Sequence, residues 1–197
     1  MPHAPYRLAV IVASTRDGRF GPTVAGWLGT HLAERDDIDA DVVDLAELPL
    51  PARLSARPDA DDAALLAAVA PRLERADAFV VITPEYNHSY PASLKTLIDW
   101  HSTPWRAKPV AFVSYGGLSG GLRAVEHLRP VLAELHAVTI RETVSFHSPW
   151  GEFDASGRHL DEEAGNRAAG AAKVLLDQLT WWAVSLREAR EARPYTV

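Results

Sequence analysis

Apolar residues along this chain fall into two alternating patterns. Short unbroken runs rich in Val, Ile and Leu are typical of strands buried on both faces. They predict strands at residues 8–13, 41–45, 78–82, 109–113 and 138–140, the last continuing through 144–146. Between these runs, apolar residues recur every three or four positions, which is typical of helices with one buried face. This spacing predicts helices near residues 22–32, 61–73, 91–99, 122–135 and 161–191.

The alternation of strand and helix predicts an α/β fold with a parallel sheet and right-handed crossovers. With the strand order 2-1-3-4-5, the direction of winding switches between the first and third strands. Such sheets bind ligands at the carboxyl ends of the strands beside that switch point. Because the first, third and fourth strands all end in loops of unusual chemistry, we expect these three loops to meet.

The loop after the first strand contains the parts of a phosphate site. Its hydroxyl and guanidinium groups belong to Ser14, Thr15, Thr23, Arg16 and Arg19. The loop leads into a helix that begins near Pro22, and the N-terminus of a helix attracts anions. The spacing matches neither a Walker A loop nor a complete Gly-x-Gly-x-x-Gly fingerprint. The alternative is a surface loop whose two arginines are merely solvated.

The loop after the third strand, residues 83–91, has groups suited to a flat polar ligand. It combines the rigid Pro84, the aromatic Tyr86 and the polar side chains of Asn87 and Ser89. Its position at the carboxyl end of a buried strand favours a binding role. An ordinary polar connection between strand and helix is the alternative.

The loop after the fourth strand, residues 114–121, carries glycine at positions 116, 117, 120 and 121. So few side chains permit close approach of a flat ligand to the backbone, and they permit unusual φ angles. A glycine-rich hinge without a ligand is the alternative. A mononucleotide with a planar heterocycle satisfies the chemistry of all three loops at once.

Composition narrows the functional classes. With 197 residues, 47% hydrophobic and 23% charged, the chain is expected to form one domain over residues 1–197. A net charge of −6 argues against a nucleic-acid-binding surface. The absence of Cys excludes disulfides, thiolate nucleophiles and Cys-ligated metals.

Metal and membrane association are not expected. The eight His residues do not form the His-x-x-x-His pattern with an intervening carboxylate, so a metal hydrolase is the weakest alternative. The first apolar run is too short to span a membrane, and no basic segment precedes it. A soluble, cytoplasmic protein is therefore the expectation.

Three motifs, in this order, resemble those of the NADPH-dependent FMN reductases, which are flavodoxin-like quinone, azo-compound and chromate reductases. They are Ala-Ser-Thr-Arg-x-Gly-Arg-Phe-Gly-Pro, Pro-Glu-Tyr-Asn-x-Ser-x-Pro-x-x-Leu-Lys-x-x-Ile-Asp-Trp and Gly-Gly-x-Ser-Gly-Gly-x-Arg. The resemblance covers residues 8–140. It implies a flavodoxin-like three-layer sandwich that binds FMN.

The resemblance also implies which residues hold the cofactor. The phosphate of FMN would contact Ser14, Arg16 and Arg19. The isoalloxazine ring would lie along Pro84, Glu85, Tyr86 and Asn87. Its pyrimidine side would be covered by Ser114, Tyr115, Gly116 and Gly117. Many relatives carry Ser where this chain has Arg19, so Arg19 either strengthens phosphate binding or points outward.

The implied chemistry needs no catalytic side chain. NADPH passes a hydride to FMN, and a quinone or similar small acceptor then takes the electrons. Solvent can protonate the product, and His88 is only a nearby candidate for that role. The alternatives are a one-electron carrier or FMN-binding module, and a paralogue that has lost its flavin.

Self-association is also implied, because many members of this family dimerise through or near the helix after the second loop. We therefore expect a homodimer or homotetramer. Trp100 and Trp105 flank the end of that helix, and aromatic side chains are enriched at interfaces. The sequence predicts that both anchor an interface.

Overall fold

A computed structural model describes residues 4–154 and 156–196. Its elements, in chain order, are β1 (Tyr6–Val12), α1 (Gly21–Leu32), β2 (Ile38–Asp44), α2 (Ala60–Arg75), β3 (Ala78–Pro84), α3 (Ala92–Trp100), β4 (Pro109–Gly116), α4 (Leu122–Glu134), β5 (Val138–His147) and α5 (Glu162–Ala192). Residues 1–3, part of the segment that precedes the first apolar run, lie outside this description. Within the described ranges, no helix is long and apolar enough to cross a bilayer.

The five strands form one sheet in the order β2-β1-β3-β4-β5, and every pair of neighbours is parallel. The predicted flavodoxin-like α/β sandwich with this strand order is confirmed. Side chains of α1 and α5 share one apolar cluster with one face of the sheet, and those of α2, α3 and α4 share a second cluster with the other face. The sheet is therefore the middle of three layers.

The central strands are buried because both of their faces are covered. Along β3, Val80 and Ile82 belong to the cluster with α1 and α5, whereas Phe79 and Val81 belong to the opposite cluster. Successive side chains of a strand point to opposite faces, which explains why this run shows no polar alternation. The fifth strand, predicted in two parts, is continuous from Val138 to His147.

The prediction that Trp105 anchors an interface is wrong. Its side chain is fully buried in the chain's own core, with its ring centroid 4.5 Å from that of Phe79. Its Nε1 donates a hydrogen bond to the His101 carbonyl at 2.5 Å. Trp100 is half-buried, and its Nε1 donates to the Pro51 carbonyl at 2.7 Å. Trp100 thereby ties α3 to the irregular connection between β2 and α2.

Candidate functional site

The three loops singled out in the sequence meet at the carboxyl edge of the sheet. Parallel pairing of β1 with β3 and of β3 with β4 places them side by side, and the Glu85 N–H donates to the Tyr115 carbonyl at 3.1 Å. A cavity of about 170 Å³ lies between them. Larger grooves, of about 420 and 660 Å³, lie elsewhere on the surface and take no lining residue from these loops.

Seven of the eleven predicted site residues line this cavity. They are Arg16, Pro84, Glu85, Tyr86, Tyr115, Gly116 and Gly117. The guanidinium carbon of Arg16 lies 5.6 Å from the centroid of the Tyr86 ring, within the range of a cation–π contact. The first and second loops therefore touch through the two side chains that the sequence assigned to different parts of one ligand.

Two predicted residues, Ser14 and Ser114, lie behind the cavity wall and are fully buried. The Ser114 hydroxyl donates to the Gly120 carbonyl at 2.9 Å, so it shapes the glycine-rich loop. The Ser14 hydroxyl lies beside that of Tyr115 but completes no well-formed hydrogen bond within the described part of the chain. A buried hydroxyl in that condition has hydrogen-bonding capacity left for a ligand.

The Arg19 side chain forms a brace rather than pointing outward. Its Nη1 donates to Asp44 Oδ1 at 2.5 Å and to the Ser14 carbonyl at 3.0 Å, and its Nη2 donates to Asp44 Oδ2 at 2.7 Å. This bidentate pairing with Asp44 raises the pKa of Arg19. The guanidinium thus ties the first loop to the end of β2. Its contact with a phosphate stays a prediction.

The backbone of the first loop fits an anion. The N–H groups of residues 15–18 donate no hydrogen bond of normal geometry to any residue in the described ranges. The Arg16 side chain is exposed and forms no ion pair with another described residue. A Cβ at Gly21 would lie 2.5 Å from Ser14 Oγ and 2.9 Å from Val12 Cγ1, so only glycine permits this close packing. Free N–H groups beside a free cation match the chemistry of a phosphate.

Asn87, the remaining predicted residue, lies at the tip of a tight turn. Asn87 and His88 both have positive φ, 48° and 77°. Tyr86 and Ser89 bracket them with reciprocal backbone hydrogen bonds of 2.8 and 3.1 Å. Consecutive positive φ values are typical of a type I′ turn, and they cost free energy in residues other than glycine. Both the N–H and the carbonyl of Tyr86 are engaged in this turn, so the turn fixes the backbone of Tyr86.

The Glu85 carboxylate links the second loop to the third. It accepts hydrogen bonds from the Ser119 hydroxyl, from the Arg123 N–H at 3.2 Å and from Arg123 Nη1 at 3.1 Å, and its side chain is 9% exposed. Burial alone would raise the pKa of this carboxyl. The Ser119 and Arg123 donors outweigh burial and hold the pKa of Glu85 below its ordinary value. Glu85 therefore acts as a clamp between two walls of the cavity.

Glu85→Gln is expected to lower the free energy of unfolding by about 1–2 kcal/mol at neutral pH, because neutral hydrogen bonds replace charge-assisted ones. Since the folded-state pKa is depressed, the wild-type advantage is complete above the ordinary pKa and disappears as the pH falls through the folded value. Urea unfolding at neutral and acidic pH measures this difference. Glu126→Gln, at an ion pair with Arg129 in which the Glu126 carboxylate is exposed, is the control and should change stability by only about 0.5 kcal/mol. Equal effects of the two substitutions would contradict the clamp.

The second pair of glycines sets the shape of the third loop. Gly120 and Gly121 have φ values of 60° and 86°, whereas the predicted unusual φ angles do not extend to Gly116 and Gly117. The Ser145 hydroxyl also donates to the Gly120 carbonyl, at 2.8 Å. The loop is therefore held in one conformation where it enters α4.

Two aromatic residues that were not among the predicted site residues also line the cavity. Phe20 follows Arg19 in the first loop, and its ring centroid lies 5.7 Å from that of Tyr115. Trp150 follows β5, beyond the last motif. For Phe20 the available signal was its place within the first motif. For Trp150 it was the strand order, because β5 ends at the same edge of the sheet and beside β4.

Comparison with known proteins gives concordant results. The profile of the family described as NADPH-dependent FMN reductase matches residues 6–151. The chain is 36% identical over 122 residues to an NAD(P)H-dependent FMN reductase of Schizosaccharomyces pombe, covering 58% of this chain and 60% of that protein. It is 33% identical over 165 residues to a 2-hydroxy-1,4-benzoquinone reductase of Burkholderia sp, covering 80% of this chain and 87% of that one. The chain thus spans less than two thirds of the yeast protein but most of the bacterial one.

A solved structure shares the fold over most of its length. It is the flavoenzyme NAD(P)H:(acceptor) oxidoreductase FerB from Paracoccus denitrificans, with 25% identity and a TM-score of 0.69. The match covers 91% of this chain and 98% of that chain. A flavodoxin from the domain Archaea, at 12% identity and a TM-score of 0.57, shares the fold alone.

Proposed function

The chain belongs to the family of NADPH-dependent FMN reductases, and from this premise we propose that it is an NAD(P)H-dependent oxidoreductase that uses FMN to reduce a quinone or similar small acceptor. The observation that carries the proposal is the single cavity lined by Arg16, Tyr86 and Gly116, one residue from each of the three loops. A phosphate site beside a site for a flat ring matches the two ends of FMN.

The first loop would hold the phosphate. The N–H groups of residues 15–18 have no competing acceptor of normal geometry within the described ranges, and the Arg16 guanidinium adds a charge-assisted donor. The Ser14 hydroxyl adds a buried donor behind the loop. Arg19 would contribute through its pairing with Asp44, which keeps the Ser14 carbonyl and the loop in place.

The second and third loops would hold the ring. Pro84 and Tyr86 of the second loop line the cavity, and Gly116 and Gly117 of the third loop line it with backbone in place of side chains. Burial raises the pKa of Tyr115 to about 12, with the neighbouring Ser14 hydroxyl partly opposing it. The Tyr115 phenol therefore stays neutral and protonated at physiological pH. FMN, when bound, supplies hydride-transfer chemistry that no side chain can provide.

The remaining expectations stay predictions. They are one FMN-binding domain over residues 1–197, assembly as a homodimer or homotetramer, and a cytoplasmic location. They are supported by the family resemblance. Trp105 is buried within the chain, so it no longer supports the prediction of self-association.

An anaerobic titration tests the proposed function. The purified protein is saturated with FMN, and the visible absorbance of the flavin is followed as NADPH is added. We expect the absorbance to bleach at one equivalent of NADPH per bound FMN and to return when a quinone is added. A flavodoxin-type carrier would bind FMN but would not be bleached by NADPH alone. A paralogue that has lost flavin would stay colourless after FMN is added.

A further inference from the structure

The segment after β5, residues 148–154, is anchored on both sides of Trp150. Before it, the Ser148 N–H donates to the Gly116 carbonyl at 2.7 Å, so the segment is tied to the third loop itself. After it, the Phe153 ring packs with its centroid 5.8 Å from that of Phe20 and 5.3 Å from that of Phe146. Two fixed points this close in sequence leave Trp150 little freedom to move away from the cavity.

Trp150 itself is not part of that aromatic packing. Trp150 is 52% exposed to solvent, although it lines the same cavity as Arg16, Tyr86 and Gly116. Among the ring contacts of the described residues, Phe153 packs on both Phe20 and Phe146, and Trp150 takes no part. A large indole is therefore held at the mouth of the cavity with much of its surface free to contact a ligand.

We propose that Trp150 is the stacking platform for the electron acceptor and selects fused-ring planar quinones over acceptors that cannot stack. This inference rests on the proposed function, since it assigns the acceptor class of that same site. A fused-ring quinone offers a protein a flat ring system and two carbonyl oxygens but no charge, so a stacking partner supplies a large share of its affinity. NADPH also carries phosphates and riboses, which polar and cationic groups bind, so loss of one stacking partner affects it less.

The test compares Trp150→Ala, Trp150→Phe and Trp181→Ala by steady-state kinetics with 1,4-naphthoquinone and with ferricyanide. Trp181 lies on α5 and is 61% exposed, so its replacement controls for the loss of an exposed Trp. We expect Trp150→Ala to lower kcat/KM for naphthoquinone about three- to tenfold, mainly through KM. With FMN at saturating concentration, kcat/KM for ferricyanide should fall by a smaller factor than kcat/KM for naphthoquinone, because ferricyanide cannot stack on an indole. Trp150→Phe should restore most of the loss, and Trp181→Ala should have no effect.

Three outcomes would overturn the inference. Unchanged kcat/KM for naphthoquinone in Trp150→Ala would remove Trp150 from the acceptor site. An equal loss with both acceptors at saturating FMN would indicate a structural role instead. A wild-type protein that binds FMN but oxidises NADPH with neither acceptor would overturn the proposed function, and the inference with it. Because that last result concerns the wild type and the first two concern the variant, the two failures are distinguishable.

Discussion

Gly121→Ala is expected to lower the free energy of unfolding by about 2–5 kcal/mol and to abolish FMN binding, because backbone strain and overpacking act together. Gly121 has a φ of 86°, and a Cβ there would lie 2.7 Å from Ser114 Cβ and 2.9 Å from the Tyr115 nitrogen. Ser114 and Tyr115 belong to β4, which pairs with a strand on each side. Because a doubly paired strand cannot shift without breaking its hydrogen bonds, the third loop must distort instead.

Urea unfolding and FMN titration of the variant measure both effects. Gly29→Ala is the matched control, because Gly29 lies on the exposed side of α1 and its Cβ would meet no atom within 4 Å. The control should gain about 0.5–1 kcal/mol from the higher helix propensity of alanine. A Gly121→Ala protein with wild-type stability and wild-type FMN affinity would show that the loop adapts and that its conformation is not required.

Arg16→Ala is expected to weaken FMN binding by about 1.5–3 kcal/mol, which corresponds to an increase in Kd of about 10- to 150-fold. Arg16 is exposed in the described structure, forms no ion pair there and lies over the Tyr86 ring. Its charge is therefore available to a phosphate, and its removal costs the protein no internal salt bridge. The free energy of unfolding should fall by no more than about 1 kcal/mol, from loss of the exposed cation–π contact with Tyr86.

Fluorescence titration with FMN measures the Kd of the Arg16 variant. Arg141→Ala removes the same charge from an exposed position on β5, where its one ion pair among the described residues is with its neighbour Glu142, and should leave the Kd within about twofold. If the Arg16→Ala protein kept its yellow colour through dialysis as well as the wild type does, Arg16 would not be a phosphate ligand.

Much of the fold could be predicted from sequence because both faces of the sheet are covered. A covered strand must be apolar throughout, as residues 78–82 are, so strands were recognisable without homologues. Parallel strands connected by helices then bring their carboxyl ends to one edge. The meeting of Arg16, Tyr86 and Gly116 therefore required only the strand order, not their individual contacts.

Side-chain partners were not predictable in the same way. Asp44 lies 25 residues from Arg19, and nothing in the spacing of the two indicates a bidentate pair. Trp105 lies just beyond the end of α3, where periodicity no longer defines a face, so its packing on Phe79 could not be read from the sequence. Trp150 follows an edge strand that carries no motif. In each case tertiary packing, rather than local pattern, determines what the side chain contacts.

A crystal structure of the FMN-saturated protein tests most directly whether the three loops form one flavin site. We expect the phosphate within hydrogen-bond distance of the N–H groups of residues 15–18 and of the Arg16 guanidinium. The isoalloxazine ring should lie between Tyr86 and Gly116. FMN bound instead in the groove beside Trp27 and His159, or a phosphate that contacts neither Arg16 nor the first loop, would contradict the proposed site.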